Sequence, residues 1–224
     1  MPSEKTPFFD ALHFRFACRN FDPTRKIPAE DFQRILEAGR LSPSSYGFEP
    51  WKFLIVQDPE IRRDMLPICW GSQMQLQTAS HFLVLLARQP REMSPNSEYL
   101  QQTIMRDTKH LPPEVQAGFT AKFGQFLKDD FALAGNERAH FEWACRQCYI
   151  SLAHMLIAAA CLGIDSSPME GFHKESLETF LAEKGLIDRS VFGVACLAAF
   201  GYREAPPPFP KTRRPLEDVV QWVL

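Results

Sequence analysis

Apolar residues in the N-terminal part of the chain recur at the spacing of two helices. In SEKTPFFDALHFRFACR, Phe8, Leu12 and Phe16 lie four residues apart, which predicts a helix with one buried stripe. In KIPAEDFQRILEAGRLSPSS, Pro28 suits a first helical turn and Pro43 closes the segment, which predicts a second helix. The apolar face of this second helix is formed by Phe32, Ile35, Leu36 and Leu41.

Three later segments are typical of strands. WKFLIVQD predicts a short strand, whereas the continuous apolar runs HFLVLLAR and VFGVACLAAFGY predict buried strands, the first of them central in a sheet. Between the strands, PEIRRDML predicts a helix, SSPMEGF a turn and KESLETFLAEKG a surface helix.

Two helical segments differ in polarity. Residues 141–163 are apolar on nearly every helical face, which predicts a helix inside the protein. Polar residues interrupt this segment before it reaches the ~20 mostly apolar residues that a bilayer requires, so we expect no membrane span. Residues 91–138 are polar and helical with several breaks, and form either an insertion or lid over the core or a solvated helical excursion.

The C-terminal segment REAPPPFPKTRRPLEDVVQWVL is rich in proline and ends in apolar residues. Its proline-rich part is too extended to pack on itself, and its apolar end would be unfavourable in water. We therefore expect this arm to lie on a neighbouring subunit or on the body of the same chain. The apolar residues are Val219, Val220, Trp222, Val223 and Leu224.

The amino-acid composition argues against nucleic acid and membranes as partners of this protein. The 224 residues include 25 basic and 27 acidic side chains, so no overall field attracts nucleic acid or an anionic membrane. Apolar residues make up 45% of the chain, which is typical of a soluble globule and favours a single domain over residues 1–224 with a small-molecule partner. MPSEKTPFFD lacks the apolar region of a signal peptide, which favours the cytoplasm.

Familiar chemical signatures are missing from the sequence. It contains no GxGxxG, GxxxxGK[ST], HExxH or GxSxG motif, which disfavours a Rossmann or P-loop fold and metal hydrolysis. The six cysteines are too dispersed for a disulfide scaffold, and Cys145 and Cys148 fall inside the apolar helix, where core packing is the simpler interpretation. The six histidines show no ligand spacing, so we expect no metal site.

Two groups of basic residues lie near opposite ends of the chain. Arg15 and Arg19 are four residues apart, on one face if the first helix continues that far. The segment KTRR at 211–214 forms the second group. On composition alone, such groups are either solvated surface charge or part of a ligand site.

Four segments favour the ligand site by their order and separation: RFACRNFD at 15–22, LSPSSYGFEPWKFLIV at 41–56, LAHMLIAAACLGIDSSPMEGF at 152–172 and GYREAPPPFPKTRRPLEDVV at 201–220. Over about residues 10–215 the chain resembles the nitroreductase family, flavin enzymes that use FMN and a nicotinamide nucleotide. The resemblance implies an α+β fold with a central, mostly antiparallel sheet wrapped by helices. It also implies an intertwined homodimer with two FMN sites at the subunit interface and C-terminal arms, about residues 203–224, that embrace the partner.

The resemblance assigns the basic groups to the cofactor. Arg15, Lys211 and Arg213 match the residues that hold the FMN phosphate, where each charge-assisted hydrogen bond contributes about 1.5–3 kcal/mol. Arg19 matches the cation beside the flavin pyrimidine edge, which stabilises the anionic reduced flavin. Phe16 and Ala17 replace polar residues that are common in the family, and their backbone groups could still reach the ligand.

The resemblance also brings two loops to the flavin ring. Ser44 and Ser45 approach it from a loop that begins at Pro43 and ends at Pro50, with Gly47 where relatives often have asparagine. The second loop contains Pro168, Met169, Glu170 and Gly171. In it, the backbone amides of Glu170 and Gly171 face the ring nitrogen that accepts hydride and the neighbouring oxygen.

Three further residues, Ser72, Gln75 and Gln147, fall near positions that contact the ring or the ribityl chain in relatives. For Ser72 and Gln75, an ordinary helix end is the alternative. Phe123 or Phe126 in the insertion either caps the acceptor or belongs to the core.

The implied activity is a two-stage hydride transfer. NAD(P)H reduces the flavin and leaves, and a planar electrophile such as a nitroaromatic or a quinone then takes its place. Catalysis rests on placing donor and acceptor close together, so we expect no dedicated proton-transfer residue. Three alternatives remain open: another branch of the family, such as an ene reductase or a reductive dehalogenase with its substrate contacts mainly in residues 91–138; a non-catalytic FMN-binding protein; and a helical ligand sensor without flavin.

Overall fold

A four-stranded antiparallel sheet with helices on both faces organises residues 7–223, the part of the chain that this computed structural model describes. The helices are α1 (Pro7–Phe14), α2 (Ala29–Arg40), α3 (Pro59–Met65), α4 (Gln73–Thr78), α5 (Pro113–Gln125), α6 (Glu137–Cys161) and α7 (Lys174–Glu183). The strands are β1 (Trp51–Val56), β2 (His81–Arg88), β3 (Asp165–Met169) and β4 (Phe192–Gly201). Two π-helical segments, Tyr99–Thr108 and Phe126–Asp130, and two 3₁₀ turns, Ser45–Gly47 and Leu216–Asp218, complete the elements.

The sheet has the order β1-β2-β4-β3, and every neighbouring pair is antiparallel. Strands β2 and β4 lie in the centre and are buried along almost their whole length, which confirms the prediction from their continuous apolar runs. The register shifts between Leu85, paired with Cys196, and Leu86, paired with Val194, so Ala195 is the extra residue of a β-bulge.

Strand β3 corrects the sequence prediction of a turn at SSPMEGF. Residues Asp165–Met169 pair with Gly201–Leu197 of β4 and form an edge of the sheet. Pro168 is compatible with a strand here because an edge strand does not need every backbone N–H for the ladder. Only the following residues leave the sheet, and Phe172 N–H then donates to Glu170 O at 2.9 Å.

Side chains of β2 alternate between two cores, as the period of a strand requires. Leu83 and Leu85 face the core that contains α2, α6 and the insertion, whereas Val84 and Leu86 face the core that contains α3, α4 and α7. The prediction of a surface helix at α7 is confirmed, although Leu177 and its neighbours on one face are buried.

Helix α6 is the long apolar helix that the sequence predicts. Its 25 residues make it long and apolar enough to cross a membrane, yet half of its most apolar stretch is buried inside the protein, as in the core helix of a soluble fold. It packs closely on α2, where Ser151 Oγ donates to Gly39 O at 2.9 Å. Cys145 and Cys148 are free and buried on this helix, in agreement with a packing role.

Helix α1 is shorter than predicted. It ends at Phe14, so Arg15 and Arg19 do not share a helical face, and Phe8 is half exposed while Ala11 is the buried residue. In the same way, Leu41 lies beyond the end of α2 and is exposed. After α1 the chain forms bridges from Ala17 to Ser166 and from Phe21 to Arg203, and after α2 Ser42 Oγ lies 2.9 Å from His154 Nδ1.

The C-terminal arm runs over the surface after β4. Its apolar residues Val219, Val220, Trp222 and Val223 are exposed in the single chain, and Leu224 lies outside the described residues. The N-terminal residues 1–6 also lie outside them, so they contribute nothing to the structural account of the predicted domain.

Candidate functional site

Segments from opposite ends of the chain enclose an open cleft of about 920 Å³, which we call the cation cleft. One wall is formed by residues 13–20, from the last two residues of α1 onward. The other wall is formed by residues 204–213, after β4. The cleft brings together six of the residues predicted to bind the cofactor: Arg15, Phe16, Ala17, Arg19, Lys211 and Arg213.

The cations of this cleft have no carboxylate partner. Among the described residues, no salt bridge involves Arg15, Arg19, Lys211 or Arg213. Lys211 Nζ instead donates to the carbonyl oxygen of Leu12, and Arg213 Nη1 donates to the carbonyl oxygen of Thr212. One carboxylate, Glu204, also lines the cleft and accepts from Asn20 Nδ2, so the lining carries an excess of positive charge that no salt bridge among the described residues pairs.

Mutual repulsion shows in the pKa values of these cations. Partial burial lowers the pKa of Arg15, and the charge of Arg213 lowers it further. Partial burial also lowers the pKa of Lys211, with further contributions from Arg15 and Arg213. Because a bound anion would raise the pKa of both groups and oppose this repulsion, the cleft has the electrostatics of an anion site.

The floor of the cleft is built on the edge of the sheet. Ala17 forms a parallel bridge with Ser166 of β3, and Cys18 N–H donates to Ser166 O at 3.0 Å. Ser166 is buried, and its hydroxyl oxygen has no hydrogen-bond partner among the described residues. Ser166 does not itself line the cleft, so its role is to hold the Ala17–Cys18 backbone of the wall.

Gly171 follows β3 and is held by a close backbone contact with Gly71. Gly71 N–H donates to Gly171 O at 2.7 Å, and a Cβ atom on Gly171 would lie 2.6 Å from Gly71 Cα. Only glycine fits at both positions, which fixes the backbone of the predicted reactive-edge loop. The exposed ring of Trp70 lies beside this contact, and sequence reasoning did not identify it.

Ser72 and Gln75 lie in the interior next to this contact. Ser72 has no exposed surface and immediately precedes α4, while Gln75 lies in the first turns of that helix and is also buried. The Ser72 hydroxyl makes no capping hydrogen bond and has no partner among the described residues, so ligand contact at Ser72 and Gln75 stays a prediction beside the helix-end interpretation.

A second cavity, of about 480 Å³, lies between α6 and the end of β3. It is lined by Tyr149, Leu152, Ala153, Leu156, Pro168, Met169, Glu170 and Cys196. The Tyr149 hydroxyl donates to the carboxylate of Glu170, and burial together with this hydrogen bond raises the pKa of Tyr149 well above its ordinary value. Tyr149 is a site residue that sequence reasoning missed, because it lies within a helix that is apolar on nearly every face.

The loop from Ser44 to Glu49 has a different construction. Tyr46 and Glu49 adopt left-handed backbone angles, with φ of 59° and 47°, as does Gly47 at 60°. Two hydrogen bonds hold the backbone N–H groups: Ser45 N–H donates to Gln147 Oε1 and Glu49 N–H to Ser44 Oγ, both at 2.9 Å. The strained backbone is thus held by contacts within the chain.

Residues of the insertion hold the carbonyl groups of the same loop. The Tyr99 hydroxyl lies 2.9 Å from Phe48 O and 2.7 Å from Glu49 O, and shares its proton between them. Lys109 Nζ donates to the carbonyl oxygen of Tyr46, and burial lowers the pKa of Lys109 against the opposing effect of Glu49.

Phe123 and Phe126 pack against this loop from the core of the protein, which corrects the expectation that they cap an acceptor. Their ring centroids lie 5.1 Å and 5.4 Å from that of Tyr46. Phe123 has no exposed surface and Phe126 is 9% exposed, so neither can cover a molecule in a cleft. Their position in the core is the alternative that the sequence left open.

Helix α6 separates the loop from the end of β3. Gln147, which binds Ser45, and Tyr149, which binds Glu170, are two residues apart and therefore point about 200° apart around the helix. No hydrogen bond between described residues joins the Ser44–Glu49 loop to the cation cleft. Among the described residues, the Ser44–Glu49 loop and the cation cleft are therefore held by different sets of contacts.

Comparison with known proteins identifies the family. The model of the nitroreductase family matches residues 12–202. This chain belongs to the nitroreductase family. "Putative NAD(P)H nitroreductase YfkO" of Bacillus subtilis (strain 168) is 44% identical over 223 residues, which is 100% of both chains. A protein of Staphylococcus aureus (strain USA300) with the same designation is also 44% identical, over 100% of this chain and 98% of its own length.

Solved structures confirm the nitroreductase fold. A protein of Exiguobacterium sibiricum 255-15 in complex with FMN superposes with a TM-score of 0.77 at 21% identity, over 98% of each chain. The enone reductase CLA-ER superposes with a TM-score of 0.77 at 17% identity, over 98% of this chain and 99% of its own. At these identities the likeness shows the fold alone, and it confirms the α+β architecture expected for a member of the nitroreductase family.

Proposed function

We propose that this member of the nitroreductase family is an FMN-dependent oxidoreductase of the cytoplasm, which transfers hydride from NAD(P)H through the flavin to planar electrophiles such as nitroaromatics and quinones. The observation that carries this proposal is the cation cleft, in which Arg15, Lys211 and Arg213 converge with no carboxylate in salt-bridge distance among the described residues. The names of the relatives support NAD(P)H as the reductant, and the FMN in a protein of the same fold supports the cofactor.

The residues present fit FMN by their charge, and two backbone contacts fix the segments that carry the predicted site residues. Three cations match the negative charge of the phosphate, with charge-assisted hydrogen bonds available from each. Beneath the wall of the cleft, Ser166 pairs with Ala17 and Cys18 and so fixes the segment between Arg15 and Arg19. The contact between Gly71 and Gly171 fixes the backbone next to Glu170.

In this proposal, bound FMN supplies the two-electron chemistry, alternating between reduction by NAD(P)H and oxidation by the acceptor. Arg15, Lys211 and Arg213 bind its phosphate, and Arg19 places a positive charge in the same cleft. The backbone around Glu170 and Gly171 is the rigid edge that orients the ring. We assign no residue to proton transfer.

Tyr149 does not change that assignment. Burial and the hydrogen bond to Glu170 raise the pKa of its hydroxyl, which therefore stays protonated and cannot act as a base at neutral pH. Tyr149 instead fixes the Glu170 side chain on the surface of α6.

We further propose a homodimer in which each site contains residues of both protomers. The arrangement of the two groups on different sides of α6 supports this proposal, in which the Ser44–Glu49 loop of one protomer and the cation cleft of the other border the same flavin. The exposed apolar residues of α6, Tyr149 and Ile150, and those of the arm offer surface for such a contact. In this dimer, residues 91–138 support the loop through Tyr99, Lys109 and Phe123.

The test begins with the purified protein, its visible spectrum and identification of the released chromophore. We expect FMN, bound at one molecule per chain, and a mass in solution of two chains. Steady-state oxidation of NADH and NADPH is then measured with nitroaromatic, quinone and enone acceptors. Retained FMN without turnover would indicate a binding protein, turnover of enones alone would indicate an ene reductase, and failure to take up FMN in excess would exclude the proposed function.

A further inference from the structure

A buried ion pair lies directly behind the cation cleft. Asp165 is the first residue of β3, and its side chain is 3% exposed. Arg203 lies two residues after β4 and donates to Asp165 twice, from Nε to Oδ1 at 2.8 Å and from the backbone N–H to Oδ2 at 2.9 Å, and its Nη2 lies 2.5 Å from Oδ1 in the ion pair. Both carboxylate oxygens are thereby satisfied by one residue.

The same guanidinium contacts the chain on both sides of Arg15. Arg203 Cζ lies 4.3 Å from the ring centroid of Phe14 and 4.6 Å from that of Phe16. Arg203 Nη2 also lies 3.4 Å from Phe14 O, and Arg203 forms an antiparallel bridge with Phe21. The position of the segment that carries Arg15 thus depends on a residue that does not itself line the cleft.

The charges of Asp165 and Arg203 act in opposite directions on Cys18, a residue of the cleft wall. Burial, followed by the charge of Asp165, raises the pKa of the Cys18 thiol to about 12, and the charge of Arg203 opposes this effect. Cys18 lies in the wall of the cleft. An unpaired carboxylate at position 165 would therefore oppose the binding of an anion there.

We propose that Arg203 is a positioning residue for phosphate recognition, which holds the Phe14–Phe16 segment in place and neutralises Asp165 beneath the cleft. The proposal rests on the proposed function, since it takes the FMN phosphate as the anion of the cleft. Arg203 touches neither that phosphate nor the acceptor, and acts through Arg15 and through the electrostatic field.

The test compares the affinity of the apoprotein for FMN and for riboflavin, which lacks the phosphate. Arg203→Lys keeps the charge but loses the forked contact with Asp165 and the planar stacking on the two rings. Arg203→Gln leaves Asp165 unpaired, and the double change Asp165→Asn with Arg203→Gln removes both charges. Arg189→Gln is the matched control, because Arg189 pairs with Glu175 on α7 and does not line the cleft.

We expect Arg203→Gln to weaken FMN binding at least about tenfold and riboflavin binding much less, an effect of about 1.4 kcal/mol. The double variant should regain part of the FMN affinity, and Arg203→Lys should lose about three- to tenfold. Arg189→Gln should leave the ratio of the two affinities unchanged. If Arg203→Gln does not fold, the other two variants decide the question.

Two results separate the failure of this inference from the failure of the proposed function. If the wild-type protein binds FMN no more tightly than riboflavin, the cleft is not a phosphate site and the proposed function fails with it. Wild-type protein that prefers FMN, with variants at position 203 that keep this preference and lose only thermal stability, would show that Arg203 is purely structural. That second result would overturn the inference and leave the function intact.

Discussion

The Ser44–Glu49 loop and the cation cleft differ in whether their polar groups find partners within the chain. In the Ser44–Glu49 loop, backbone groups in an unfavourable conformation are bound by Gln147, Tyr99 and Lys109 of the same chain. In the cation cleft, by contrast, four basic side chains have no carboxylate partner among the described residues. The loop is complete without a ligand, whereas the cleft is not.

This difference separates stability from binding. Contacts that hold the loop lower the free energy of the folded chain, so their loss should appear first as a loss of stability. Repulsion among Arg15, Lys211 and Arg213 raises the free energy of the ligand-free chain. Replacement of one of these cations should therefore reduce the affinity for the anion without a loss of stability. Variants of the two regions should therefore affect different measurements.

The largest effect is expected for Phe123→Ala, under the loop. Phe123 is fully buried against Phe48 and Tyr46, and its truncation leaves a cavity in the core. We expect a loss of about 3–5 kcal/mol in the free energy of unfolding, measured by urea denaturation. Phe131→Ala is the control, because the side chain of Phe131 is half exposed in the same insertion. An equal, small loss for both variants would show that the loop is not supported from this side.

The next effect is expected for Arg213→Gln, in the cleft. Loss of one charge-assisted contact with phosphate should weaken FMN binding about 10- to 100-fold, which corresponds to about 1.5–3 kcal/mol. The thermal stability of the apoprotein should stay the same or rise, because the repulsion of Arg15 and Lys211 is reduced. Arg214→Gln should change neither value, since Arg214 does not line the cleft. A destabilised apoprotein with unchanged FMN affinity would contradict the proposed role.

Sequence reasoning was most successful for features that are encoded in consecutive residues or in the order of segments along the chain. The continuous apolar runs predicted β2 and β4, and the apolar segment at 141–163 predicted α6, because burial on several faces leaves a pattern in consecutive residues. The order of four segments indicated the family, and it placed Arg15 and Lys211 in one site although they are far apart in the chain.

Long-range contacts explain where the predictions were wrong. Residues Asp165–Met169 are a strand only because β4 lies beside them, and nothing in SSPM indicates this partner. Helix α1 ends at Phe14 because the following segment contacts Arg203, 189 residues away from Phe14. The ends of local elements are therefore determined by partners that the local sequence does not reveal.

The role of the insertion could not be decided from its own sequence. Phe123 and Phe126 are compatible with an exposed cap and with a core, and only their contacts with Tyr46 distinguish the two. The hydrogen bonds from Tyr99 and Lys109 likewise join positions about 50 and 60 residues apart. Polar side chains with such distant partners carry no periodic signal.

A smaller effect on the loop is expected for Tyr99→Phe, which retains the ring and removes the hydroxyl. The carbonyl groups of Phe48 and Glu49 then lose their shared donor, at a cost of about 1–2 kcal/mol in stability. Hydrogen exchange of the amides at 44–49 should become faster, while exchange at 204–213 should not change. Tyr202→Phe is the control, since its ring packs against Arg25 and its hydroxyl has no hydrogen bond among the described residues. Unchanged exchange at the loop would show that Tyr99 does not restrain it.

The smallest effect is expected for His81. Burial disfavours the protonated, positively charged form of this side chain, whereas the basic side chains of the cleft remain charged. His81 stacks on Phe32 at 3.7 Å, and burial, followed by the charges of Arg62 and Lys26, lowers its pKa to about 4. The unfolded chain binds this proton near pH 6.5, so protonation favours unfolding, and stability falls as the pH drops from 6.5 towards 4.

In the variant His81→Gln, the loss of stability between pH 7 and pH 4.5 should be about 1 kcal/mol smaller than in the wild type, a value reduced for the partial exposure of the ring. It should not vanish, because burial also lowers the pKa of His140. The preference for FMN over riboflavin should still decrease in acid in this variant, since the phosphate loses its second charge near pH ~6. If that preference became independent of pH, His81 rather than the charge of the ligand would control binding in acid, and the separation between the two regions would fail.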